Sequence, residues 1–106
     1  MSKYMFHANY TQGGLGGLLK EGGTQRREAL TQTIEGVGGS VEAFYYAFGD
    51  TDLYIIADLP DDATATAVSL NIGAAGVLNV RVTTLVTPEA VDEAAAKGVP
   101  YRVPGA

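Results

Sequence analysis

The order of strand-like and helix-like segments constrains this chain more than any single motif. Alternation of apolar and polar residues predicts a strand, and apolar residues three or four positions apart predict a helix. The predicted strands are 3–10, 40–48, 53–59 and 77–86, and the main predicted helices are 24–37, about 62–75 and 88–97. This order is the split βαβ pattern with an extra C-terminal helix. We therefore predict an α+β fold, a ferredoxin-like βαββαβ sandwich.

Glycines interrupt the segment between the first strand and the first long helix. Residues 12–23 include six glycines, and Leu15, Leu18 and Leu19 have helical spacing. We predict a short helix here that its glycines weaken. The segment lacks the glycine spacing of a dinucleotide-binding loop and the Gly-Lys-Ser/Thr of a P-loop. No nucleotide site is therefore predicted.

Length and composition limit the remaining possibilities. The 106 residues fit a single domain, 1–106, and the net charge of −5 argues against nucleic-acid binding. The chain has no cysteine, which excludes disulfides and thiolate catalysis. No apolar run approaches the ~20 residues that span a bilayer, and the N-terminus lacks a signal-peptide core. We expect a cytoplasmic protein that binds neither membranes nor nucleic acid.

One face of the predicted sheet is left uncovered, because both helices of a split βαβ unit pack on the other face. Strand alternation assigns the following residues to the uncovered face: Met5, His7, Asn9, Glu42, Phe44, Tyr46, Phe48, Tyr54, Ile56, Asp58, Asn79, Arg81 and Thr83. A large aromatic patch of this kind usually marks an interface or a binding site. We expect a homodimer, or a higher homo-oligomer, that forms through this face.

Polar side chains on the uncovered face are the candidate site. We predict that six residues bind a ligand: His7, Asn9, Tyr46, Tyr54, Asp58 and Arg81. His7 is the single histidine, and an imidazole suits proton transfer near neutrality. One histidine with dispersed carboxylates has no metal-ligand spacing, so we predict neither a metal site nor a cofactor.

Three stretches of the chain resemble a known family. They are Ala8-Asn9-Tyr10, the run Gly17–Gly23 followed by Arg26-Arg27, and the block Glu42–Asp61. Together they are similar to the GYD-domain family of small bacterial proteins, and the resemblance covers nearly the whole chain. It implies a dimeric α/β barrel and no established reaction.

The chain departs from the family at the hairpin for which the family is named. Gly49 and Asp52 match the family pattern Gly-x-Tyr-Asp, but Thr51 occupies the tyrosine position. Any role that the family tyrosine has is therefore lost or changed here.

Three hypotheses for function remain open. The first is a dimer that binds a small, partly apolar ligand in a sheet-lined cavity, and we favour it because aromatic and polar groups mix on the uncovered face. The second is a cofactor-independent oxygenase or isomerase, by analogy of fold alone. The third is a purely structural or interaction protein.

We also expect the C-terminal segment to dock on the body of the protein, because Val99, Tyr101 and Val103 alternate with polar residues and prolines.

Overall fold

The computed structural model describes all 106 residues and contains four strands and four helices. The strands are β1 Ser2–Tyr10, β2 Ser40–Tyr46, β3 Leu53–Leu59 and β4 Leu78–Leu85. The helices are α1 Gln12–Glu21, α2 Gly23–Gly36, α3 Asp62–Ala74 and α4 Pro88–Ala96. None of these helices is both long and apolar enough to cross a bilayer.

The four strands form one antiparallel sheet in the order β2-β3-β1-β4. The ferredoxin-like α+β fold predicted from the sequence is confirmed. The hairpin between β2 and β3 and the helix start at Thr87-Pro88 are also as expected, since the Thr87 side chain accepts a hydrogen bond from the Ala90 N–H. The first strand is central, so its side chains have neighbours on both sides.

The hydrophobic core lies between one face of the sheet and helices α2 and α3. Alternate residues of β1, from Tyr4 to Tyr10, and of β3, from Leu53 to Leu59, are buried on this face. Leu30 and Ile34 of α2 and Ala65 and Val68 of α3 cover them. The opposite face of the sheet, called the open face below, has no helix against it.

A bulge in β2 changes which of its aromatic residues reach the open face. Val41 pairs with Ala57, but the next pairing is Ala43 with Ile56, so Glu42 is the extra residue. Beyond a bulge the alternation of side chains is shifted by one position. The assignment of Phe44 and Tyr46 to the open face was therefore wrong: both pack against the core, and Tyr45 takes the open-face position.

The C-terminal residues 86–106, called the C-terminal arm below, project from the body. Every residue of the arm is exposed, including Val99 and Tyr101, which are 78% and 75% exposed. The radius of gyration is 17.0 Å, whereas a compact chain of this length has about 13 Å. The expectation that this segment docks on its own body is wrong in the single chain: the segment follows β4, an edge strand, and none of its residues is buried.

Candidate functional site

Three of the predicted site residues form a row across the middle of the open face. His7 pairs directly with Tyr54 of β3 on one side and with Arg81 of β4 on the other. Directly paired side chains in antiparallel strands lie about 4.5–5.5 Å apart at Cβ. The sheet register therefore brings an imidazole, a phenol and a guanidinium together on three adjacent strands.

The His7 ring is held on both sides. Its Nε2 shares a 3.0 Å hydrogen bond with Thr83 Oγ1, and its plane lies within 6° of the Tyr54 plane. The two ring centroids are 6.5 Å apart. Tyr54 itself is 38% exposed, so this pair presents flat, partly apolar surface to whatever covers the open face.

Arg81 has a neutral partner and no acidic one. Its Nη2 donates to Thr51 Oγ1 at 3.2 Å, and none of the four ion pairs of the chain involves it. Thr51 is buried and lies in the β2–β3 hairpin. The Thr51 hydroxyl therefore helps to position the Arg81 guanidinium.

Asn9 lies two residues along β1 from His7, against the same hairpin. Its Nδ2 donates to the Asp50 carbonyl at 3.0 Å, while its Oδ1 is buried without a hydrogen-bond partner. The Asp52 carboxylate accepts the Tyr10 N–H at 3.0 Å, and the Asp52 N–H donates to the Ala8 carbonyl at 3.0 Å. These bonds fix the hairpin beside the row and leave one amide oxygen unpartnered.

Asp58 lies on the open face but at the other end of it. Its carboxylate accepts hydrogen bonds from Lys3 Nζ at 3.0 and 3.2 Å, and Glu42 accepts from the same amine at 3.0 Å. The hydrogen bonds to Glu42 and Asp58 raise the pKa of Lys3. Lys3 is four residues from His7, or about 13 Å along a strand, so Asp58 is paired and separated from the row.

Tyr46 lies on the helix-covered side, as the bulge requires. Its ring packs edge-on against Phe44 and parallel to Phe48, with centroids 5.4 and 6.4 Å away. Its hydroxyl donates to the Gly23 carbonyl at 2.8 Å, at the junction of α1 and α2. Burial raises the pKa of Tyr46 to about 12, and the nearby Tyr10 hydroxyl, which has no hydrogen bond of good geometry, acts in the same direction.

The high pKa of Tyr46 makes the alkaline stability of the fold depend on this phenol. The folded state binds the proton more tightly than an unfolded chain with a pKa of 10.0. The stabilisation is therefore complete below pH 10 and is lost as the pH rises through the folded value. We expect Tyr46→Phe to remove one tyrosinate near pH 12 from an absorbance titration. Tyr45→Phe is the control, because it removes a phenol from the adjacent position without touching Gly23. If both variants lose the same absorbance step near pH 12, the assignment of that step to Tyr46 is contradicted.

The open face has the groups for binding but no cavity in the single chain. None of the four pockets is lined by His7, Tyr54 or Arg81. No group of three or more histidine, aspartate or glutamate side chains is placed to hold a metal ion. A flat row of donors and rings binds a small molecule only when a second surface encloses it.

The sequence did not reveal every residue of this arrangement. The sequence singles out Thr51 only through the resemblance to a known family, and Tyr45 is not among the residues that alternation assigns to the open face. No residue type in β2 indicates the bulge, since neither glycine nor proline occurs between Ser40 and Tyr46. The partners of Thr51 and Thr83 depend on strand register, which sequence spacing alone does not specify.

Comparison with known proteins gives one family match. The profile described as GYD domain matches residues 4–95, from the first strand to the end of α4. No curated protein and no solved structure matches the chain significantly. The match covers far more than half of the chain. The chain therefore belongs to the GYD-domain family.

Proposed function

We propose that this protein is a homodimer that binds a small, partly apolar molecule with an acidic group between its two open faces. The observation that supports this most directly is the row His7–Tyr54–Arg81, in which a cation without an acidic partner lies beside a stacked pair of rings. Stacking two such faces turns a flat row into the wall of a cavity.

The apolar side chains of the open face support the dimer. Met5 pairs with Ile56, which also pairs with Ala43, so an apolar strip crosses three strands next to the row. Tyr45 pairs with Tyr54 and is 71% exposed. A contiguous patch of this kind on one side of a small domain is typical of an interface. In the proposed dimer it would seal the ligand from water.

The free hydrogen-bonding groups of the row are the reason for proposing that the ligand has an acidic group. A guanidinium binds a carboxylate through two parallel hydrogen bonds, and Thr51 occupies only one of the Arg81 nitrogens. The flat His7–Tyr54 pair provides a place for a ring. His7 shares its Nε2 with Thr83 rather than with a carboxylate that would orient it as a base, so we propose binding without turnover.

Calorimetric titration with two matched probes tests this proposal. Benzoate has a ring and a carboxylate, and benzamide has the same shape without the charge. We expect benzoate to bind about tenfold or more tightly than benzamide, since a hydrogen bond to a charged group contributes about 1.5–3 kcal/mol. Arg81→Gln should abolish the difference, whereas Lys20→Gln, which removes an exposed cation on α1, should preserve it. Equal binding of both probes to the wild type, or no binding of either at millimolar concentration, would refute the acidic-ligand site.

A further inference from the structure

The C-terminal arm has an amphipathic helix with no surface to pack on. The apolar side chains of α4 lie along one stripe of the helix: Ala90, Val91, Ala94 and Ala95. Its acidic side chains lie on the other side: Glu89, Asp92 and Glu93. Val91 is 53% exposed, and no residue of α4 is buried. An isolated helix shorter than about 12–15 residues is marginal in water, so this helix needs a tertiary contact.

The size of the open face is one reason to look for that contact on a second copy of the chain. Four strands about 4.8 Å apart, each of about seven residues, give a footprint of roughly 450 Å². A stable interface buries about 800 Å² on each partner. Two stacked sheets therefore need additional surface to form a lasting dimer, and the arm, every residue of which is exposed, can supply it.

Charge is the second reason. From Pro88 to Ala96 the helix has three acidic residues and no basic one. The open face has an unpaired cation, Arg81, on the edge strand β4, from whose end the arm also departs. Arg81 and the acidic arm have charges of opposite sign, and this attraction would favour the approach of the arm of one protomer to strand β4 of the other without an ion pair to Arg81.

We propose that the two protomers exchange their C-terminal arms, so that α4 of each subunit packs with its apolar stripe against the body of the other. This inference rests on the homodimer proposed above. The exchange buries Val91, and the extended residues that follow, with Val99 and Tyr101, close the rim of the cavity between the sheets. The arm thus contributes partner residues to the ligand site.

A mixed dimer tests the exchange directly. Protomers labelled with carbon-13 and nitrogen-15 are mixed with unlabelled protomers, and an isotope-filtered NOE experiment detects contacts between subunits only. We expect contacts from the Val91 and Val99 methyl groups to residues 1–85 of the partner. If contacts are found only between the two sheet faces, the proposed dimer is supported and the arm exchange is overturned. A monomeric mass by sedimentation equilibrium would overturn both.

A matched pair of variants provides the second measurement. Val91→Asp places a charge in the apolar stripe of α4, and Ala96→Asp places the same charge on its polar side. We expect Val91→Asp to raise the dimer dissociation constant at least tenfold and Ala96→Asp to change it less than threefold. Both sites are exposed in the single chain, so neither substitution should alter folding of the body. Equal dissociation constants for the two variants would contradict the exchange.

Discussion

Replacing Ile56 with aspartate is expected to convert the protein to a monomer with the mass of one chain, 11.0 kDa. Ile56 lies half-buried in the apolar strip of the open face, between Met5 and Ala43. Burying a carboxylate in a sealed interface costs several kcal/mol, and a dimer would bury two carboxylates, one from each protomer. The single chain leaves this position partly in water, so the variant should still fold. Sedimentation equilibrium and circular dichroism together measure mass and folding.

Leu70→Asp is the matched control for this prediction. Leu70 is an apolar residue 67% exposed on α3, on the side of the molecule away from the open face. We expect that variant to keep the mass of the wild type. If Ile56→Asp and Leu70→Asp both have twice the mass of one chain, the interface lies elsewhere. Phe44 does not serve in this test, because it is partly buried against the core and a charge there would destabilise the fold itself.

Replacing Gly14 with alanine is expected to cause the largest loss of stability of any alanine substitution at a glycine in α1. A Cβ at this position would lie 2.0 Å from the Val77 carbonyl oxygen and 3.1 Å from the Tyr10 ring. Backbone atoms cannot rotate away, and the Thr11 N–H donates to the same Val77 carbonyl at 3.1 Å. We expect a loss of about 3 kcal/mol from overpacking, which lowers the melting temperature by more than about 10 °C.

Gly17→Ala is the control in the same helix. A Cβ at Gly17 would meet nothing within 4 Å. Alanine is favoured over glycine in a helix interior by about 1 kcal/mol, so this variant should be slightly more stable than the wild type. Thermal unfolding followed by circular dichroism compares the two variants under one condition. A similar melting temperature for both would show that α1 shifts away from Val77 at little cost.

The element order and the central position of β1 could be predicted from the sequence. Strand and helix patterns are local, and each is repeated over seven or more residues, so single exceptions do not obscure them. The strand order that places β1 between β3 and β4 followed from the fold class, whereas the register that pairs His7 with Tyr54 and Arg81 is seen only in the structure. The face on which His7, Tyr54 and Arg81 lie was therefore within reach of sequence reasoning.

The positions of Tyr46 and the C-terminal arm could not be predicted in the same way. Alternation along β2 assigned Tyr46 to the open face, and the bulge at Glu42 reversed that assignment. Val99, Tyr101 and Val103 have the pattern of a docked strand, yet they lie exposed, because the pattern specifies an apolar side and not the surface that covers it. Both errors concern a relation between distant segments.

The amino-acid sequence by itself determined the family, the order of the strands and helices, and the glycine-rich entry to α2. These depend on backbone preferences and on local apolar periodicity, which are properties of neighbouring residues. Only the tertiary structure decided that Arg81 donates to Thr51, that Tyr45 rather than Tyr46 reaches the open face, and that the C-terminal arm leaves the body. The first two depend on strand register or on an inserted residue, and the third depends on where the chain leaves the edge strand β4. A shift of one position in the register moves a side chain to the opposite face of the sheet.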